Sequence, residues 1–343
     1  MKKVLITGGA GYIGSTTASA LADHGITPVI LDDLSTGRRE FFHDRSFYQG
    51  DVADHALIDR IFTEHPDIAA TVHCAAKIVV PESVVEPLRY YRENVAKTVA
   101  LLEALERNRC SRIVFSSSGS IYAPHPDGHV DESCSLAPGS PYARTKAMME
   151  QVLQDWTVAA PSRVIALRYF NPVGADPRMR SGLQSPDPTH ALGKLIEAYT
   201  TGQPFTVTGV DWPTRDGSAI RDYIHVWDLA LAHLAALNRF DQVLPPGAAD
   251  RYQVINVGTG EGTTVRELVT AFEKTVGSTL DVREAGPRAG DVIGCYTSST
   301  RARNLLGWTS AKTVSDAVRD ALAWRTQWAT HLEQTAPAPG VTS

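Results

Sequence analysis

The sequence predicts an α/β fold: a doubly wound parallel sheet with a smaller, interleaved α/β unit. Three observations predict it. Short, uniformly apolar, β-branched runs alternate with longer amphipathic stretches, a glycine-rich turn follows the first run, and an acidic pair closes the second.

The elements follow in chain order. KVLIT at 3–7 is too short and too apolar for anything but a buried strand. In VLITGGAGYIGS, Gly8, Gly11 and Gly14 then stand at G-x-x-G-x-x-G spacing and lead into a helix through TTASALADH. Glycine lets the chain turn tightly and approach a pyrophosphate, and the helix N-terminus offers free N–H groups with a partial positive charge. A tight turn with no ligand could require the same residues. The second strand, TPVILDD, ends in Asp32 and Asp33, roughly twenty residues on, where a carboxylate accepts hydrogen bonds from an adenosine ribose. An acid there repels a 2′-phosphate, which predicts NAD rather than NADP.

GDV at 50–52 follows the third strand and puts Asp51 within reach of an adenine amine. TVHCAA is the fourth strand, and HCAA at 73–76 marks the level at which a doubly wound sheet opens to ligand. His73 reads as a packed strand-end histidine. NVAKTVALLEALERN has helical apolar spacing, and RIVFSSS is a fifth strand with three serines at its carboxyl end. Serine there can form a turn or donate to a substrate hydroxyl. SRVIALRYF is a further buried strand.

In SPYARTK, Tyr142 and Lys146 lie four residues apart on a helix opened by Ser-Pro, hence on one face. A phenol near its ordinary pKa of about 10 is a poor base at neutral pH, but a nearby ammonium and an oxidised nicotinamide favour its phenolate. Tyr142 can then take the proton of a sugar hydroxyl held by Ser118, while Lys146 grips the nicotinamide ribose. Tyrosine and lysine at this spacing also occur on ordinary surface helices.

A chain of 343 residues, 43% hydrophobic and 21% charged, can bury a sizeable core and exceeds the usual length of one domain. Beyond about residue 172 Pro and Gly crowd NPVGADPRMRSGLQSPDPTH and TGVDWPTRDGSAIRDY, so a second, less regular unit begins there. The expected division is a dinucleotide-binding domain over 1–171, to which part of 219–257 returns, and a substrate domain over 172–328, mainly 172–218 and 258–328. EQTAPAPGVTS has no apolar period, and roughly 331–343 reads as a disordered tail.

A net charge of −5 with scattered Lys and Arg predicts no nucleic-acid partner. Cys74, Cys110, Cys134 and Cys295 lie far apart with no C-x-x-C pair, so neither a disulfide framework nor a metal site is indicated. Two lysines precede the first apolar run, but glycines interrupt it at once, and no stretch approaches the ~18 apolar residues of a membrane span. The reading is a cytoplasmic protein with no membrane partner.

The glycine turn, LDDLSTG, GDV, SSSGSIY, SPYARTK, RYFNPVGA, RDYIHVWDLA, NVGTG and PRAGD together resemble the UDP-glucose 4-epimerases of the extended short-chain dehydrogenase/reductase superfamily, from about residue 3 to 327. Each motif is common in the superfamily, while RYFNPVGA and RDYIHV in this order are fairly specific to sugar epimerases. The resemblance implies a Rossmann fold, tightly held NAD, a 4-keto sugar intermediate that swings about its phosphate linkage, and a homodimer through a helical bundle. By matching position it assigns catalysis to Ser118, Tyr142 and Lys146. It assigns the cofactor to Tyr12, Ile13, Asp32, Asp33, Ser35, Thr36, Gly37, Asp51, Val52, Cys74, Ala75, Ala76, Asn94, Ser116 and Tyr169, beside the glycines and the catalytic pair. Phe170, Asn171, Arg221, Arg288, Asp291 and Cys295 face the nucleotide sugar, with the arginines on its pyrophosphate.

The chain departs from the family at several places. AAKIVVPES stands where relatives carry AGLKAVGES, so Lys77 comes one place early, Ile78 fills the lysine position and Pro81 replaces a glycine. Ala191 takes the place of a phosphate-binding asparagine, and Thr208 that of an aromatic against the base. Cys295 stands where enzymes restricted to plain hexoses tend to have tyrosine, which predicts room for N-acetylhexosamines. A 4,6-dehydratase needs an acid–base pair straight after the strand-end hydroxyl, where this chain has Gly119 and Ser120. A non-catalytic NAD sensor typically loses the tyrosine or lysine, and this chain keeps both. Epimerases of uronic acids, TDP-hexoses or modified sugars remain open.

Overall fold

A computed structural model describes residues 2–185, 188–287 and 292–335, the last four as backbone only. Seven strands form one sheet: β1 (Lys3–Thr7), β2 (Thr27–Asp32), β3 (Ser46–Gln49), β4 (Ile68–His73), β5 (Arg112–Ser116), β6 (Arg163–Tyr169) and β7 (Tyr252–Val257). All adjacent pairs are parallel, in the order β7-β6-β5-β4-β1-β2-β3. Strand order reverses between β1 and β4, and such a reversal opens a crevice beyond the carboxyl ends of those strands.

The apolar runs are explained by coverage on both faces. Val4, Ile6, Ile30 and Val72 face one core with α1 (Tyr12–Asp23), and Leu5, Val29, Leu31 and Phe115 face another. The second is closed by α2 (His55–Glu64), α3 (Lys97–Arg107) and α4 (Pro141–Ala159). The central strands are therefore apolar along most of their length instead of alternating. Ser140 caps α4 by accepting from Ala143 N–H at 3.2 Å, and Pro141 takes the first position, where a missing N–H costs nothing.

A third core gathers α5 (Ala191–Thr201), α7 (Val265–Val276) and α8 (Val314–Thr335). Between them in sequence, α6 (Val226–Asn238) packs back on α1, and β7 joins the edge of the large sheet. The chain thus returns to the first sheet before completing the second unit. Among its described residues that unit shows two-stranded pairings, such as Asn171–Val173 with Tyr223–His225 and Phe205–Thr208 with Val282–Ala285.

The C-terminal reading needs one correction. Residues 331–335, expected in the tail, continue α8 to Thr335. Trp324 and Trp328 each meet the Phe41 ring edge-on at 5.5 Å, and His331 stacks on Trp328 at 5.3 Å, so aromatic packing carries the helix past the apolar period. Residues 336–343 lie outside the described residues.

Candidate active site

The glycine turn is shaped by contacts that leave no room for side chains. Gly8 has φ +70° and its N–H donates to Leu31 O at 2.8 Å, while a Cβ on it would stand 2.7 Å from Ala75 N. At Gly14 a Cβ would meet Gly8 O at 2.2 Å, so α1 approaches the loop as closely as glycine permits. No side chain caps α1, and its first turn, with Tyr12 and Ile13, carries no acid. Those N–H groups face the crevice as an anion site. The Tyr12 hydroxyl donates to Gly174 O at 2.6 Å, tying the turn to the second unit.

Asp32 is buried, and burial pushes its carboxyl up. It accepts from Ala10 N–H at 2.9 Å and Leu34 N–H at 2.8 Å, one bond to each oxygen, which leaves lone pairs for ribose hydroxyls. Gly37 sits against it, and a Cβ there would be 2.7 Å from its Oδ1. Asp33 is exposed and accepts from Ser35 N–H at 2.8 Å. Gln184 donates to Thr36 O at 3.0 Å. At Asp51, burial raises the carboxyl, but Lys97 at 2.6 Å and Ala53 N–H at 2.9 Å outweigh it and hold it below its usual range. Val52 is half-buried beside the second core.

The loop Cys74–Lys77 is clamped by Asn94, whose amide accepts from Lys77 N–H at 2.8 Å and donates to Lys77 O at 2.9 Å. Asn94 therefore shapes the walls around Ala75 and Ala76. Lys77, one place early in sequence, extends its ammonium to Ser35 Oγ at 3.0 Å, across to the loop after β2, while Ile78 is exposed. His73 is a structural strand-end residue: it bonds Thr7 Oγ1 at 2.6 Å and Thr98 Oγ1 at 2.9 Å, and burial pulls it down to about 3.

Ser118, Tyr142 and Lys146 are 7%, 9% and 4% exposed, and they come together at the carboxyl end of β5. Burial raises the Tyr142 phenol above its ordinary range, and the neighbouring Ser118 offsets this only in part. Lys146 Nζ donates to Ser116 O at 2.8 Å and lies 5.0 Å over the Phe115 ring. That bond goes to the strand end, with Lys146 one helical turn from Tyr142 on the same face of α4. Burial pulls Lys146 down to about 8, with Cys74 and Glu150 acting in the opposite direction. The Ser116 hydroxyl bonds His233 Nε2 at 3.1 Å and Cys74 Sγ at 3.2 Å. His233 Nδ1 meets Leu229 O at 2.9 Å and so carries the proton, which makes Nε2 the acceptor. Tyr169 is held well above its ordinary range by burial.

On the other side of the crevice, the Phe170 ring fills the space a Cβ on Gly119 would need, 2.4 Å from Cε1. Asn171 N–H donates to Asp222 O at 3.0 Å. Cys295 Sγ is 3.8 Å from Gly119 O, next to Ser118 in the chain, and burial pushes its thiol up to about 11. Arg221 donates to Ile293 O at 2.9 Å and Val292 O at 3.2 Å, immediately after the segment carrying Arg288 and Asp291. Those two lie outside the described residues. Among the described residues no cluster of His, Cys, Asp or Glu could hold a metal ion, and no helix is long and apolar enough to cross a membrane.

Residues 4–258 match the model of the NAD dependent epimerase/dehydratase family. The chain belongs to that family. The UDP-glucose 4-epimerase of Bacillus subtilis is 38% identical over 333 residues, 94% of this chain and 96% of the relative. The epimerase structure from Stenotrophomonas maltophila, with NAD and formylated UDP-arabinopyranose bound, superposes with a TM-score of 0.91 at 34% identity, covering 96% of this chain and all of that one. The UDP-Glc/GlcNAc 4-epimerase of Campylobacter jejuni superposes at 0.79 with 34% identity, over 95% of this chain and all of that one. The epimerase-family cofactor suits the cleft, since a glycine turn with no space for a Cβ and a buried acid after β2 are what a dinucleotide requires.

Sequence reasoning missed the buried partners behind the catalytic residues: His233 under Ser116, and Glu150 with Arg168 beyond Lys146. Glu150 was open to inference, because it continues the Tyr142–Lys146 spacing by one more turn of the same helix face.

Proposed function

We propose that the protein interconverts nucleotide-linked hexoses at C4, UDP-glucose with UDP-galactose, using NAD that it retains. The observation that carries this is the convergence of Ser118, Tyr142 and Lys146 with Phe170 and Cys295 at one strand edge. Gly119 and Ser120 offer no acid–base pair, which disfavours elimination of water.

NAD supplies a reversible hydride acceptor. The protein's residues do the rest: Ser118 holds the C4 hydroxyl, Tyr142 takes its proton and later returns it, and Lys146 binds ribose hydroxyls while adding positive charge. Arg221 and Arg288 pair with the sugar's pyrophosphate, and Gly8 to Gly14 with that of the cofactor. The sugar lies between the sheet domain (1–171 with 219–257) and the smaller unit (172–218 with 258–328).

Cys295 makes the proposal finer. Tyrosine at this position would enter space beside Gly119 and Phe170, and a thiol leaves it open for a 2-acetamido group. UDP-GlcNAc and UDP-GalNAc are therefore also substrates. Cys295→Tyr is expected to lower N-acetylhexosamine turnover by one to two orders of magnitude, as overpacking of about 1–3 kcal/mol implies, and to spare UDP-galactose. Unchanged N-acetyl turnover in the variant would remove the argument.

We further propose a homodimer. Val84, Val85 and Leu88 are exposed on the helical turns 80–91, which pack on α4, where Met148 is also exposed. Light scattering should give twice the 37.2 kDa chain mass, and Val85→Asp with Leu88→Asp should halve it. A monomeric wild type would contradict this.

A further inference from the structure

Tyr142, Lys146 and Glu150 follow one another at four-residue intervals along α4 and are all buried. The Glu150 carboxylate accepts from the Ser117 hydroxyl and from Arg168, whose Nε reaches Oε1 at 2.9 Å and whose Nη2 reaches Oε2. Arg168 gives its remaining nitrogen, Nη1, to the Tyr122 hydroxyl at 2.9 Å, and Tyr122 donates onward to Asn256 Oδ1 at 2.7 Å. The pair is thus balanced in charge and fully bonded, the condition under which buried ions are tolerated.

Its place matters more than its strength. Ser117 stands between Ser116, whose carbonyl holds Lys146, and Ser118, whose hydroxyl meets Tyr142. One carboxylate therefore restrains the turn that orients both catalytic groups. The titratable and charged groups packed around this site are His73 and Cys74 at the end of β4, Tyr122 after β5, Arg168 and Tyr169 at the end of β6, Tyr252 on β7, which burial and the Glu150 charge hold well above its ordinary range, and His233 from α6. Cys74 is pushed up to about 11, while His73 and His233 are pulled down to about 3 and about 4, so these three are neutral at working pH. Among the described residues, Glu150 is the anion left to act on Lys146.

We propose that Glu150 is a positioning residue for the reaction, anchoring the Ser116–Ser118 strand end through Ser117 and keeping Lys146 charged from one helical turn away. The proposal rests on the reading of Tyr142 and Lys146 as the catalytic pair. The charge half of its test needs no sugar. The holoprotein labelled with [ε-13C]lysine reports protonation of Lys146 by its carbon shift, with Lys146→Met used to assign the signal. Glu150→Gln keeps the volume and the acceptor for Ser117 but removes the charge, and the Lys146 midpoint is expected to fall by about one pH unit or more. In Glu150→Asp, which keeps the charge, it should stay within about 0.3 unit. Ser117→Ala keeps both charges and frees the strand end, so kcat should drop several-fold at constant KM while the lysine midpoint holds. If Glu150→Gln does not fold, Glu150→Gln with Arg168→Met removes the pair together and carries the same titration. An unmoved lysine midpoint, or a Ser117→Ala enzyme with wild-type kcat, overturns the proposal. A shifted midpoint in a protein that turns over no nucleotide hexose would instead uphold it and refute the substrate assignment.

Discussion

Tyr142→Phe is expected to lower turnover of UDP-galactose by about three orders of magnitude, the upper part of the range for a lost general acid–base. The phenol lies beside Ser118, where the proposed mechanism needs its proton carrier, and phenylalanine keeps its packing while removing that oxygen. NAD should stay bound at wild-type stoichiometry, because the glycine turn, Asp32 and Lys146 are untouched. KM should change little. Full activity in the variant would mean that another group carries the proton. Loss of both activity and NAD would mean that Tyr142 is a cofactor ligand first and a base second.

Gly14→Ala should produce the other large effect, by a different route. In an ordinary helix this change stabilises by about 0.5–1 kcal/mol, because alanine has the better propensity. Here the added Cβ would lie 2.2 Å from Gly8 O and 2.9 Å from Gly9 Cα, both backbone, so the turn must open. The purified variant should release no dinucleotide on acid denaturation, show no turnover, and lose about 1–3 kcal/mol of stability in place of the propensity gain. Stoichiometric NAD in Gly14→Ala would show that the turn tolerates a side chain and that its glycines serve only the fold.

The sheet was legible because a parallel strand covered on both faces must be apolar throughout, and KVLIT, TPVILDD and RIVFSSS have that form. Much of the site was legible for a related reason. Ser118, Tyr142 and Asp32 sit at strand ends or on a helix face whose position follows from the topology. The second unit was not, since pairings of two to four residues, such as Ile220–Arg221 with Thr263–Thr264, carry no periodicity. Lys77 looked displaced by one residue, but a long, flexible stem lets its ammonium reach Ser35 from the earlier position. The end of α8 was misjudged because two tryptophans on Phe41 hold it, and such contacts have no local signature. Glu150 and Arg168 belong to no motif singled out in the sequence, and only the fold brings them together in the interior.

The central claim is that one protein, with coenzyme it already holds, inverts C4 of a nucleotide hexose. Purified protein incubated with UDP-galactose, with no added NAD, should yield UDP-glucose and approach the same equilibrium mixture from either sugar. No interconversion, or interconversion only in proportion to added NAD, would contradict the account.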